Sequence, residues 1–304
     1  MVRHATFPLF TFGPAAVVLA SLGADASRAE LPGWDTFALG GALIVGTYVA
    51  LAVLERAFPH RPAWNQSQDD VRADVAYFVL VGPASAIAGG VLAALAGSAL
   101  HATLPEAVQP TLWPRHWPAW TQVLLACGIA ELGHYAAHRL GHEWPLLWRL
   151  HAIHHSAKRL YWLNATRFHP LDLAVLAFLQ ALPLEVLGIP PGIFVAYFVA
   201  SSCYGQLQHC NIDLDARAYA WFFATPELHR WHHSTDPAEG DSNYGAILIG
   251  WDVLFRTRFW PGRPIDAPVG IGSLPRFPTG LLAQLRAPFR WRAVEREAGP
   301  DATP

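Results

Sequence analysis

From Val75 to Leu100 the chain runs without one Asp, Glu, Lys, Arg or His side chain. An apolar helix of about 20 residues is what crosses the hydrocarbon core of a bilayer. Comparable runs cover residues 7–24, 36–54 and, less completely, 117–130. Two more, 173–189 and 192–207, are joined by Ile-Pro-Pro-Gly. That joint is too short and too apolar for an exposed loop, so the pair reads as a hairpin that only partly crosses. Charged residues are 14% of the 304, against about a quarter in soluble domains. Backbone groups in lipid must be satisfied within their own segment, which favours helices. The expected fold is therefore all-α: an integral membrane bundle of about four spanning helices plus the short hairpin, with a helical cap on one side.

Threading the first four spans alternately leaves only Arg28 and Arg115 on one face of the membrane and the other basic residues on the opposite face. The excess of positive charge makes that second face cytoplasmic. Composition divides the chain into an N-terminal transmembrane region, 1–115, a histidine-rich region, 116–262, and a Pro- and Arg-rich peripheral tail, 263–304. The basic start, apolar stretch and Ala-Asp-Ala ending of the first 26 residues also fit a secretory signal, though the spans that follow favour a retained helix. A net charge of -2 gives no support to nucleic-acid binding. The arginines around Trp291 suit lipid headgroups instead. Cys127, Cys203 and Cys210 are odd in number and form no Cys-x-x-Cys, which speaks against a disulfide scaffold or a thiolate zinc site. They are expected to be buried or reduced thiols. Glu185, inside the hairpin, is expected to make a core polar contact or to serve a substrate channel.

Of the 15 histidines, His4, His60, His101 and His116 are isolated and read as ordinary polar contacts; the rest fall between His134 and His233. Glu-Leu-Gly-His-Tyr-Ala-Ala-His puts His134 and His138 on one helix face, with Glu131 a turn earlier. His151, His154 and His155 form one His-x-x-His-His cluster, and His229, His232 and His233 form another. His169 and His209 each stand at the cytoplasmic end of a hairpin arm. These ten are the expected metal ligands, enough for two ions with five nitrogens each. Neutral imidazole suits iron, zinc and copper, whereas magnesium and calcium prefer oxygen. His142, one turn after His138, could replace one of the ten or support the set from outside. The ligands' other N–H groups need acceptors. Glu131, Asn164, Asp172, Asn211, Asp213, Glu227, Asp241 and Asp252 lie close enough in sequence to provide them.

His-x-x-x-His followed by two His-x-x-His-His clusters among short membrane helices resembles the fatty acid hydroxylase and sterol desaturase superfamily of integral-membrane diiron oxygenases. The resemblance covers roughly residues 117–261. It extends to Thr-Arg-Phe-His-Pro-Leu-Asp, Gln-His-Cys-Asn-Ile-Asp, Thr-Pro-Glu-Leu-His-Arg-Trp-His-His-Ser and Asn-Tyr-Gly-Ala-Ile-Leu-Ile-Gly-Trp-Asp-Val-Leu-Phe. One departure is visible. The family usually continues Phe-Gly-Thr where this chain has Phe255-Arg256-Thr257. The N-terminal 115 residues carry none of the resemblance.

The resemblance implies two iron ions, dioxygen as co-substrate, a reductant, and hydroxylation of a lipid such as an acyl chain, a sterol, a hopanoid or another isoprenoid. Desaturation by the same site is the alternative. Unactivated C–H bonds lie beyond side-chain chemistry, so a redox cofactor has to carry the hard step. Zinc can replace iron on purification, since it binds such sites more tightly than ferrous iron. No ferredoxin spacing or dinucleotide fingerprint is seen, so an external electron-donor protein with an NAD(P)H-dependent reductase is expected. No Gly-x-Ser-x-Gly or P-loop points to a hydrolase or an ATPase. The Arg-over-Lys, Ala-rich composition suggests a bacterial inner membrane. Trp162, Trp221 and Phe222 could line a lipid tunnel or form an interfacial belt. A metal transporter is the rival from another class, but it needs ligands along the membrane core. Structural zinc is usually content with four ligands.

Overall fold

A computed structural model describes residues 2–28, 30–106 and 112–300. Met1 of the signal-like segment, Ala29 and residues 107–111 of the expected loops, and residues 301–304 of the tail lie outside them. Among the described residues every regular element is a helix, with only isolated bridges such as Pro59 to Ile212.

Among the described residues three helices are long and apolar enough to cross a membrane. They are α1 (Val2–Leu22), α2 (Trp34–Ala57), and α3 (Val71–Ala76) running on through a π turn into α4 (Gly82–Ala102). Val45, Val49 and Val53 form an exposed stripe along α2, and Ile87, Val91 and Leu95 form another along α4. Side chains four apart share a helix face, so these stripes are continuous apolar surfaces that a bilayer would cover. The fourth run, 117–130, is the first part of α5 (Ala119–Glu143). Its second part carries Glu131, Arg139, Glu143 and three histidines, so α5 as a whole is too polar to join the other three.

The hairpin consists of α7 (Pro170–Val186) and α8 (Pro191–His209), each opened by a proline whose missing N–H is no loss at a helix start. The 17 residues of α7 reach about 26 Å. Helix α8 is the central post: Ile193, Tyr197, Cys203, Tyr204 and Leu207 are buried, and α1, α2 and α5 pack around it. Helix α7 lies against α4 and α5 at glycines. A methyl group on Gly89 would collide with the Ala174 carbonyl, and one on Gly133 with the Leu179 carbonyl. Small residues at such crossings let membrane helices approach closely. Glu185 sits half-buried on α7 at its Gly97 contact with α4. All three cysteines are buried free thiols.

The remaining helices are α6 (Pro145–His155), α9 (Pro226–His232), α10 (Pro237–Gly240), α11 (Gly250–Leu254), α12 (Leu281–Arg286) and α13 (Trp291–Ala298). The C-terminal segment packs on the rest of the chain. Trp291, Val294 and Ala298 share one face of α13 and join Ile271, Leu274 and Phe277 in a buried cluster with Ala152 and Ile153 of α6.

Arg256 follows α11 with a φ of 61°. The Thr257 N–H reaches the Asp252 carbonyl at 2.8 Å and the Arg256 N–H reaches Val253 at 3.4 Å, the paired bonds of a helix end closed by a left-handed residue. Glycine takes that conformation without strain, and Arg does not. Arg256→Gly is therefore expected to raise stability by about 1 kcal/mol. The check is thermal unfolding in detergent; a lowered midpoint would mean the arginine side chain holds something glycine cannot.

Candidate metal centre

Four helices deliver the histidines to one place. Helix α5 carries His138 and His142, α6 carries His151, His154 and His155, α8 ends on His209, and α9 supplies His229 and His232, with His233 capping it. They fall into two groups, His138, His142, His151, His155 and His232, and His154, His209, His229 and His233. Within each group one ring nitrogen per residue lies within 4.8 Å of all the others. Gly141 leaves room for the first group, since a Cβ there would press on the His151 ring at 3.3 Å. The groups touch. His155 stacks on His233 at 4.4 Å between ring centroids, and His232 lies 5.2 Å from His233.

Both His-x-x-His-His clusters divide in the same way. The i and i+4 rings, His151 with His155 and His229 with His233, stay in one group, while the i+3 rings, His154 and His232, join the other. Each short helix thus serves both groups.

Five of the rings have Nδ1 held by a protein acceptor. His151 donates its Nδ1–H to Asp172 at 2.9 Å, His142 to Asp241 at 2.8 Å and His209 to Asn164 at 2.9 Å. His138 and His232 donate theirs to the carbonyls of Tyr244 and Ser242, both at 2.7 Å. That leaves Nε2 of His138, His151, His209 and His232 buried with no partner, along with Nδ1 of His154, His229 and His233. Nε2 of His142 and His155 face each other at 3.1 Å, as do Nε2 of His229 and His233 at 3.2 Å. Buried polar atoms are nearly always paired, so this many unpaired imidazole nitrogens fit a metal-binding cage.

Burial also keeps several of the rings neutral. It pushes His154, His155, His229, His232 and His233 well below the ordinary imidazole range, with neighbouring imidazoles adding to the shift. Burial lowers His142 to about 4, against the pull of Asp241. The unfolded chain takes up protons near pH 6.5, so between there and these lowered values it binds more protons than the folded chain, and stability falls as pH falls. The metal-free protein is expected to melt at a constant temperature above pH 7 and at steadily lower temperatures below pH 6. Unfolding midpoints in detergent at several pH values test this, and a flat profile down to pH 5 would contradict it.

Two of the ten expected ligands stand outside both groups. His134 lies one turn before His138, ring centroids 5.3 Å apart, with its own Nδ1 buried and unpartnered. His169 caps α7, its Nδ1 accepting the Leu171 N–H at 3.2 Å, and its ring packs on Phe289. His142 stands inside the first group.

Among the expected acceptors, Asn164, Asp172 and Asp241 meet histidines. Asp252 acts one step removed, holding the N–H groups of Tyr244 and Gly245 at 2.8 Å and so the carbonyl that His138 uses. Glu131 receives the N–H groups of Ala246, Ile247 and Leu248, pinning the same loop to α5. Asn211 bridges Arg61 and Asn65, Asp213 pairs with Arg3 at 3.2 Å, and Glu227 accepts the Ala216 N–H at 2.7 Å. Trp162 packs on Tyr48 and Phe78, whereas Trp221 and Phe222 are exposed.

A buried framework next to the site was not evident from the chain. Asp70 receives Arg159 at 2.7 and 2.8 Å, Asp74 receives Arg167 and the Tyr161 hydroxyl, and Glu55 accepts the N–H groups of Trp162 and Asn211. Together they fix the segment whose Asn164 orients His209 and whose Phe168 stacks on His154 at 4.1 Å. The signal available was carboxylates abutting apolar spans, which nothing in the pattern ties to arginines about 90 residues away.

A polar cavity of about 380 Å³ borders the first group, lined by His142, His155, His232, Trp148 and Asp241. An apolar groove of about 740 Å³ runs along α5, lined by Leu125, Leu132, Pro183 and Leu254.

A model of the fatty acid hydroxylase family matches residues 123–257. The chain is 38% identical over 252 residues to an ornithine lipid hydroxylase of Rhizobium tropici, covering 81% of this chain and 74% of that one. It is 33% identical over 157 residues to an alkylglycerol monooxygenase of Caenorhabditis elegans and 28% identical over 138 residues to that of Homo sapiens. Those matches take in 52% and 45% of this chain but only 30% of each relative. No solved structure matches it.

Proposed function

The chain belongs to the fatty acid hydroxylase family, and on that premise we propose that it is a membrane-bound, dioxygen-dependent diiron hydroxylase of a polar membrane lipid. It is an oxidoreductase, as its relatives are hydroxylases and monooxygenases. The observation that carries the diiron reading is the double set of buried, unpartnered imidazole nitrogens. In this reading each group holds one ion, His142 serves as a ligand, His134 stands next in reach, and His169 positions α7.

Bound iron supplies the activation of dioxygen that side chains cannot provide. The chain does the rest. Asp172, Asn164, Asp241 and two backbone carbonyls hold the outward N–H of five rings, which turns the opposite nitrogens inward. Burial keeps His138, His154, His155, His229, His232 and His233 unprotonated. In the net reaction one oxygen atom enters a C–H bond and the other leaves as water. Two electrons and two protons come from an external donor protein served by an NAD(P)H-dependent reductase. The cap faces the cytoplasm in this reading, in a bacterial inner membrane.

Hydroxylation is favoured over desaturation by the names of the relatives, and a transport path is disfavoured because the histidines cluster in the cap. The test is lipid extraction from cells with and without the protein, grown under isotopically heavy dioxygen. A lipid that gains one heavy oxygen supports the proposal, and one that only loses two hydrogens replaces it with desaturation. Unchanged lipid with reductant and iron supplied would sink both.

A further inference from the structure

We propose that the cleft between α6 and α13 binds the anionic headgroup of the lipid substrate, with Arg149 as its principal cation. The proposal rests on the lipid hydroxylase reading and specifies the substrate class: an amphiphile bearing a carboxylate or phosphate.

The cleft, about 660 Å³, is lined by Trp148 and Arg149 from α6, Trp291, Glu295 and Arg296 from α13, and Leu274. Arg149, like Arg296 in the same cleft, is set apart from the arginines that are matched to carboxylates. Arg159 and Arg167 are each matched to a buried aspartate, and Arg139 is matched to Glu143 at 2.7 Å. Arg149 has no ion pair among the described residues, and its Nε is buried with no hydrogen-bond partner. Leaving a buried donor unpaired is costly. Glu295, the carboxylate in the same cleft, is turned away to the Trp291 indole N–H at 2.8 Å. A guanidinium left open in a walled cleft presents the fork that carboxylate and phosphate fit.

The cleft also leads to the histidines. Trp148 and Ser273 line both it and the polar cavity bordered by His142, His155 and His232. The Trp148 ring lies 5.3 Å from His142 and 5.6 Å from His155. An anion seated on Arg149 is thus separated from the first histidine group by one indole. Trp144 and Leu146, on either side of the cleft residue Pro145, are exposed apolar side chains. Cationic floor and apolar rim together suit an amphiphile more than a free ion.

The experiment uses the full chain in an uncharged detergent, with Trp148 and Trp291 as fluorescence reporters. The probes are an N-acyl amino acid, the fatty alcohol of the same chain length, and inorganic phosphate. The acyl amino acid is expected to bind and change the emission, and Arg149→Gln to weaken it by about tenfold or more, as loss of a charged hydrogen-bond pair does. Arg149→Lys, which keeps the charge without the fork, should fall between. The alcohol should bind more weakly and be indifferent to either variant. Metal content measured on the same samples shows whether a variant has kept its fold. If Arg149→Gln loses metal, the comparison passes to Arg149→Lys and Arg296→Gln. Equal binding of the acyl amino acid to wild type and variants overturns the proposal, and so does inorganic phosphate binding as tightly as the amphiphile. Because binding is read without turnover, such a result leaves lipid oxidation to be judged separately. Intact binding with no oxidation would fault the hydroxylase reading instead.

Discussion

Replacing His138 and His232 together with alanine is expected to lower the metal content to about one ion per chain and to abolish lipid oxidation. Both residues belong to the five-histidine group, and both point an unpartnered Nε2 into it. Their loss leaves three nitrogens there, while His154, His209, His229 and His233 are untouched. The complementary variant, His209→Ala with His229→Ala, should also retain about one ion, now in the first group. Metal analysis of the two purified variants checks this. If either double substitution removes all metal from a folded protein, the two groups are one site and the division fails. Milder damage should follow Asp172→Ala, which removes only the acceptor behind His151, because such partners typically affect metal affinity by about 10- to 100-fold.

Arg167→Met is expected to be the most destabilising single change outside the histidines. Arg167 and Asp74 are both almost fully buried and joined by two hydrogen bonds, and Tyr161 adds a third to the same carboxylate. Removing one partner of a buried pair strands the other charge and typically costs about 3–5 kcal/mol, whereas replacing both by apolar groups is often nearly neutral. The melting temperature in detergent should fall by roughly 10 °C for Arg167→Met and recover substantially in Arg167→Met with Asp74→Leu. If the double variant is as unstable as the single one, the pair is not the source of the loss. The damage should also reach the metals, because the neighbouring Phe168 packs on His154.

The helical class and the apolar runs of the first three spans were legible, since both follow from uninterrupted hydrophobic length. So was the gathering of His151, His154, His155, His229, His232 and His233 at one place. What the spacing could not say is how each cluster divides. On a helix i, i+3 and i+4 all lie near one face, and only the position of the facing helix sends His154 to one group and His155 to the other.

The same limit explains His142 and His134. Both stand one turn from His138, so the choice between them depends on where α6 crosses α5, which here brings the His151 ring against Gly141. His169 carries the same local signal as a ligand, yet its ring is engaged in capping α7. The carbonyls of Ser242 and Tyr244 were beyond any sequence reading, because every residue has one. Arg256 was visible as a departure from the family pattern. Its meaning, a left-handed helix end normally suited to glycine, needed the backbone angle.

The most direct test of the central claim is the number of iron ions bound per chain by the wild-type protein in detergent after anaerobic loading. Two neighbouring histidine cages predict about two. One ion, or none, in a folded and fully loaded sample would contradict the account.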